Sequence, residues 1–232
     1  MKKMNRLAII PARSGSKRIK NKNIKNFLGK PIICYPLDAA IQSKLFKKIH
    51  VSTNDKRIKN IVKKLGLKID FMRPSLLSKD KVGLNSVLKF VVRKYESLNL
   101  FFDEVWLIYA CSPLIKKDDL IKANKKYQKT DKKFPLMSVR EYDAPIQWAF
   151  KKKKTRYVCV NKKKRHIDSK NLDKNYFNSA NFEIYKKKEL LKRKRFFKFY
   201  GQILPRSRSM DIDDNEDWKI AEALYTYNLK KS

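Results

Sequence analysis

Four consecutive apolar residues, Leu7-Ala8-Ile9-Ile10, run directly into Pro11 and then into a cationic loop carrying Arg13, Ser14, Gly15, Ser16, Lys17, Arg18, Lys22 and Asn23. A short, unbroken apolar run ended by proline reads as a strand buried on both faces, and such strands belong to parallel sheets covered by helices. The loop that follows suits a polyphosphate. Glycine lets the backbone approach an anion, hydroxyls and main-chain N–H groups donate to phosphate oxygens, and Arg and Lys add charge-assisted hydrogen bonds. On composition alone it is equally an ordinary basic turn. The three-glycine dinucleotide fingerprint and G-x-x-x-x-G-K-[ST] are both absent, so the loop is of another kind.

The rest of the chain alternates strand and helix patterns. Pro31 to Ser43 reads as a helix with Pro31 at its first position, Lys48 to Thr53 as a second strand, and Asp55 to Leu65 as a helix with Ile58, Ile61, Val62 and Leu65 on one face. Lys68 to Phe71 reads as a third strand, followed by a helical stripe of Val87, Leu88, Val91, Val92, Tyr95 and Leu98. Val105 to Tyr109, Leu136 to Val139 and Tyr176 to Tyr185 read as further strands, with helices near Asp118 to Tyr127 and from Glu216 to Leu229. This order predicts an α/β fold with a mainly parallel sheet, and ligands at the carboxyl ends of its strands. With 232 residues, 42% of them hydrophobic, and no Pro/Gly/Ser-rich linker, one domain over residues 1–232 is expected. Between Arg140 and Asp173 the chain turns charged and hairpin-like, with little core of its own.

The net charge of +36 and a pI near 10.1 raise nucleic-acid binding, a competing reading of a different class. The lysines are nevertheless spread along the whole chain and show no aromatic-interleaved RNA motif or zinc-finger spacing, so no specific nucleic-acid partner is expected. No apolar run approaches a membrane span and no cleavable hydrophobic segment opens the chain, which predicts a cytoplasmic protein with no membrane partner. Cys34, Cys111 and Cys159 lack C-x-x-C spacing and are expected to be reduced and mostly buried. Cys111 lacks a nearby His and reads as packing rather than as a nucleophile. His50, between apolar strand residues, is expected to be structural, and His166 exposed.

The order I-P-A-R-x-G-S-K-R-I-x-x-K-N followed by G-K-P closely resembles the nucleotide loop of the acylneuraminate cytidylyltransferase (CMP-sialic acid synthetase) family. Near the other end, Asp211 and Asp213 in D-I-D spacing project to one side of an extended segment, as a Mg²⁺ clamp would, although D-x-D alone is commonly a surface turn. Following P-R-x-R and preceding D-x-x-E-D-W, it matches the C-terminal pattern of that family. The resemblance implies a Rossmann-like fold of the nucleotide-diphospho-sugar transferase type, with a protruding dimerisation arm at about 140–175 and a homodimer. It implies transfer of CMP from CTP to an acidic nine-carbon keto sugar with Mg²⁺, in bacterial surface glycan or flagellin glycosylation. Ala12, Arg13, Ser16, Lys22 and Asn23 would then bind the nucleotide, with Arg13, Lys17 and Lys22 acting on the phosphates, Arg73 in the base pocket, and Asp211 and Asp213 on the metal. Two departures are Lys20, where the family usually has proline, and Leu84, where a hydroxyl is common. Tyr109 at the end of the fourth strand and Gln147 in D-A-P-I-Q resemble the pseudaminate branch and are the candidate acceptor ligands. The alternatives are N-acetylneuraminate, legionaminate and the eight-carbon 3-deoxy-octulosonate.

Overall fold

The structure, a computed structural model, describes residues 4–230. Among the described residues, six strands form one sheet in the order β10-β6-β9-β5-β1-β4. In chain order these are β1 (Arg6–Pro11), β4 (Lys48–Ser52), β5 (Glu104–Ile108), β6 (Leu136–Glu141), β9 (Tyr176–Lys186) and β10 (Tyr200–Ile203). β1 pairs in parallel with β4 and β5, and β10 in parallel with β6, while β9 runs antiparallel to both β5 and β6. Five strands therefore share one direction and β9 opposes them. Two short ribbons stand apart: β2 (Asn26–Phe27) with β3 (Lys30–Pro31), and β7 (Phe150–Lys153) with β8 (Arg156–Cys159).

Side chains alternate across each strand, so the apolar run of β1 feeds two cores. Ala8 and Ile10 face one side with Trp106 and Ile108 of β5, against α1 (Cys34–Ser43), α2 (Lys56–Lys64) and α4 (Lys117–Gln128). Leu7 and Ile9 face the other side with Val105 and Leu107, against α3 (Leu84–Glu96) and α5 (Lys187–Lys192). A third, aromatic cluster joins Ile19, Phe27, Tyr35 and Ile212 to Trp218 of α6 (Asn215–Lys230). No helix among the described residues is long and apolar enough to cross a membrane.

Two sequence expectations are corrected. Residues 68–71 join no sheet. Ile69 packs into the first core and Asp70 is held by Lys48 and Tyr95, so the alternation reflects burial rather than a strand ladder. Pro31 does not open a helix. It pairs antiparallel with Asn26, and α1 starts three residues later at Cys34, after the fully buried Ile32 and Ile33. His50 is buried and structural as expected, with Nδ1 3.0 Å from the Tyr95 hydroxyl, and His166 is exposed. All three cysteines are free; Cys34 is buried and the other two are half-buried.

Candidate active site

The loop after β1 is shaped by a few anchored residues between free ones. The Ala12 N–H donates to the Ser52 carbonyl at 2.9 Å, stitching the loop's start to the end of β4. The Ser14 N–H and hydroxyl both donate to Asn54 Oδ1, at 3.1 and 3.3 Å. Gly15 sits at φ +87°, where a β-carbon would be strained. Ile19 is buried in the aromatic cluster and pins the middle of the loop, leaving Lys17, Arg18 and Lys20 in solvent. Asn23 then closes the loop, its Nδ2 donating to the Arg13 carbonyl at 2.9 Å while the Cys111 thiol donates to its Oδ1 at 3.2 Å. Burial pushes the Cys111 thiol up to about 12, which keeps it neutral and inert as a nucleophile.

The cations of the loop converge on two acids. Arg13 Nη1 and Lys17 Nζ each lie 2.7 Å from a different oxygen of Asp80, and these two cations hold the Asp80 carboxyl below the usual carboxylate range. Arg18 Nη2 lies 2.6 Å from Asp213 Oδ1. Lys22 donates to the Ile212 carbonyl and stands 3.9 Å from Asp213 Oδ1, tying the phosphate-type loop to the D-I-D segment. Arg73 is a different case: it is 5% exposed and bonded to the Ser52 hydroxyl (3.1 Å) and carbonyl, with no acidic partner among the described residues. Burial, helped by the like charge of Arg13, lowers its pKa to about 10, so it remains a cation at neutral pH.

The D-I-D segment is held from below. Ile212 is fully buried in the aromatic cluster, which turns Asp211 and Asp213 outward on the same side. Asp217 accepts from the Asp213 and Asp214 N–H groups at 2.8 and 3.1 Å, and Asp214 accepts from those of Glu216 and Asp217, both at 2.9 Å. This reciprocal cap on α6 fixes the segment's exit. Asp211 has no hydrogen-bond or ion-pair partner among the described residues. Partial desolvation, then the charge of Asp213, raises its carboxyl pKa. Two outward carboxylates, one lacking any counter-charge contact, fit a hard cation that takes oxygen ligands and completes its shell with water and phosphate. Asp211 and Asp213 alone are short of a full protein cage, and no cluster of three or more His, Cys, Asp or Glu side chains suited to a metal occurs among the described residues.

One cavity of about 210 Å³ gathers Arg13, Ser16, Lys22, Asn23, Arg73, Tyr109 and Asp211, with Leu84 also in its wall. A second, of about 420 Å³, continues from Arg13, Ser16 and Lys22 to Lys17, Asp80 and Asp213. The first opens at the carboxyl ends of β1 and β5 and the second beside the loop after β1. Ala12 lies fully buried beneath the loop, where only its backbone is positioned to serve a ligand. Gln147 stands elsewhere, on the helical turn Ile146–Trp148, and donates to the Asp173 carbonyl at 3.3 Å, outside this cavity. Sequence reasoning missed Asp80 and Asn54. Asp80 is a lone acid between lysines in a turn and carries no local signal, whereas the polar T-N-D stretch after β4, already on the ligand side of the sheet, marked the vicinity of Asn54.

Residues 7–227 match the cytidylyltransferase family. The pseudaminic acid cytidylyltransferase of Campylobacter jejuni is 36% identical over 228 residues, spanning 97% of this chain and 98% of that protein. The CMP-N,N'-diacetyllegionaminic acid synthase of Legionella pneumophila is 29% identical over 244 residues, spanning 97% and 98%. Among solved structures, a CMP:2-keto-3-deoxy-manno-octonic acid synthetase complexed with CTP superposes with a TM-score of 0.70 over 97% of this chain and 99% of the other, at 16% identity, a likeness of fold. With the fold, the loop and nearly the whole length in agreement, this chain belongs to the cytidylyltransferase family.

Proposed function

We propose that the chain transfers CMP from CTP to pseudaminate, an acidic nine-carbon keto sugar, and releases pyrophosphate. The observation that carries the reading is the single cavity in which Arg13, Ser16, Lys22 and Asn23 of the first loop meet Arg73, Tyr109 and Asp211. Similarity to the Campylobacter jejuni pseudaminic acid cytidylyltransferase over nearly the full length supports the choice of acceptor. In this reaction the anomeric hydroxyl oxygen of the sugar bonds to the α-phosphorus, the bond from that phosphorus to the oxygen bridging to the β-phosphate breaks so that pyrophosphate departs with that oxygen, and the hydroxyl proton passes to solvent water. Negative charge accumulates on phosphate oxygens, and Arg13, Lys17 and Lys22 stabilise it from the loop side. The buried, acid-free Arg73 lies deeper and takes the cytosine. Asp211 and Asp213 hold Mg²⁺, which supplies further charge neutralisation at the phosphates. Asp80 occupies the two cations that a triphosphate needs, so nucleotide binding exchanges one anion for another at Arg13 and Lys17.

In this reading residues 1–232 form one domain, and the β7–β8 hairpin with its flanks is an arm that pairs two copies into a homodimer, with Gln147 on the acceptor side. Tyr142, Phe150, Tyr157 and Val160 all lie exposed there, an apolar set suited to burial against a second subunit. A monomer in sedimentation at micromolar protein and moderate salt would contradict it. The protein works in the cytoplasm, and its dispersed lysines serve no specific nucleic acid. Pyrophosphate release that requires CTP and acceptor, and is unchanged by added DNA or RNA, tests the reaction class.

A further inference from the structure

β9 carries a buried acid whose partners are all uncharged. Glu183 is 8% exposed, opposite Leu107 of β5 and Met137 of β6. Its Oε1 accepts from the Tyr109 hydroxyl at 2.9 Å and from Asn178 Nδ2 at 3.0 Å, and its Oε2 accepts from the Tyr185 hydroxyl. No lysine or arginine pairs with it among the described residues. A carboxylate buried without a cation is costly, and an apolar side chain would fill a mid-sheet position at less expense. The stability of the sheet therefore does not account for it, whereas the geometry of its donors does.

One of those donors, Tyr109, is in the wall of the cavity that also holds Asp211 and Leu84. A phenol has a single proton. Because Tyr109 gives that proton to Glu183, its oxygen has only lone pairs left to offer a ligand. We propose that Glu183 is a positioning residue that fixes the Tyr109 hydroxyl as a hydrogen-bond acceptor, so that the site selects sugars presenting an O–H or amide N–H donor at that wall. The inference rests on the reading of the Tyr109 side of this cavity as the acceptor-sugar end of the site. Tyr185, bonded to the other oxygen, and Asn178 hold the carboxylate so that it cannot swing away from Tyr109.

The test is a mutant cycle read as the KM of the sugar against the KM of CTP, using Tyr109→Phe, Glu183→Leu, Glu183→Gln and the double variants. Tyr109→Phe and Glu183→Leu each raise the sugar KM about tenfold with the CTP KM within about twofold, because each removes one oriented hydrogen bond to the sugar. Glu183→Leu adds nothing once Tyr109→Phe is present. Glu183→Gln, whose amide oxygen still accepts from Tyr109, restores most of the sugar affinity. Equal rises in both KM values, or a full additional factor in the double variant, would overturn the proposal. Should Glu183→Leu fail to fold by circular dichroism, the cycle is run with Glu183→Ala. The ratio is measured on whichever of four acceptors the wild-type chain uses, namely pseudaminate, N-acetylneuraminate, legionaminate and 3-deoxy-octulosonate. Failure with pseudaminate therefore overturns the acceptor assignment and still leaves Glu183 decided.

Discussion

Ile212→Ala separates the framework of the D-I-D segment from its chemistry. Ile212 is fully buried among Ile19, Phe27 and Trp218, and the Phe27 ring is already locked edge-to-face against Trp218, with centroids 5.4 Å apart. Rings held in that way collapse poorly into a void, which places the substitution in the middle of the range for buried Ile→Ala, about 3.5 kcal/mol. At about 2 °C per kcal/mol for a chain of this length, the midpoint falls by about 7 °C. Loss of the anchor also lets Asp211 and Asp213 drift, although the Lys22 contact with the Ile212 carbonyl remains. A supporting residue of this kind changes metal affinity by about tenfold or more, so the Mg²⁺ concentration giving half-maximal pyrophosphate release rises by that factor. Ile58→Ala is the control, since Ile58 is just as buried but lies in α2. It lowers the midpoint by a similar amount and leaves the Mg²⁺ requirement alone. A destabilised Ile212→Ala protein with an unchanged Mg²⁺ requirement would refute the claim that burial of this side chain aims the two carboxylates.

Three further outcomes follow from the charges. Burial lowers the pKa of His50 to about 4, below its unfolded value of about 6.5, so the unfolded chain binds the proton first. The stability owed to neutral His50 is complete above about pH 6.5 and is lost as pH falls toward 4, about 3 kcal/mol in all; His50→Gln removes that slope from denaturant titrations between these pH values, and an unchanged slope would show that His50 is not its source. The carboxyl of Asp211 is shifted the opposite way, so its ionised form is less favoured in the fold than in the unfolded chain and its stability contribution declines as pH rises through the raised pKa. Asp211→Asn in EDTA should melt at or above the wild-type temperature at pH 7 while losing most turnover with Mg²⁺; a lower melting temperature would show that the carboxylate holds the fold. Asp80→Asn frees Arg13 and Lys17, and the KM for CTP should fall about threefold, whereas a rise would mean that Asp80 organises the loop rather than competing with phosphate.

The elements that flank the cleft were legible because their burial pattern is local. Leu7 to Ile10 are all fully buried, Leu88, Val91, Val92 and Tyr95 of α3 face one core although Leu98 lies exposed past the helix end, and the two aspartates of D-I-D turn outward over a buried isoleucine. The direction of β9 was not legible, since a strand covered on both faces has the same apolar pattern either way. β10 is four residues at the sheet edge and contains Gly201, and α5 is a single six-residue helix, both too short for periodicity to register. Residues 68–71 alternate as a strand does, yet no backbone bond among the described residues joins them to β4, and the chain is next tied back only at Arg73, whose N–H donates to the Thr53 carbonyl at 2.7 Å. The β2–β3 ribbon overrode the tendency of Pro31 to start a helix. Within the site, the loop cations, Arg73, Tyr109 and Asp211 were all readable in one dimension. Asp80 and Glu183 were not, because the cavity residues they bond, Arg13 and Lys17 for Asp80 and Tyr109 for Glu183, lie 60 or more positions away and only the fold brings them together.

The measurement that bears most directly on the account is a side-by-side assay of CTP-dependent, Mg²⁺-dependent pyrophosphate release with pseudaminate, N-acetylneuraminate, legionaminate and 3-deoxy-octulosonate, with the CMP-sugar product identified by mass. An oriented polar wall rejects stereoisomers that leave its groups unpaired, so kcat/KM for pseudaminate should exceed that for each of the others by about tenfold or more. A clear preference for N-acetylneuraminate would contradict the acceptor assignment, and release without any sugar or without CTP would contradict the reaction itself.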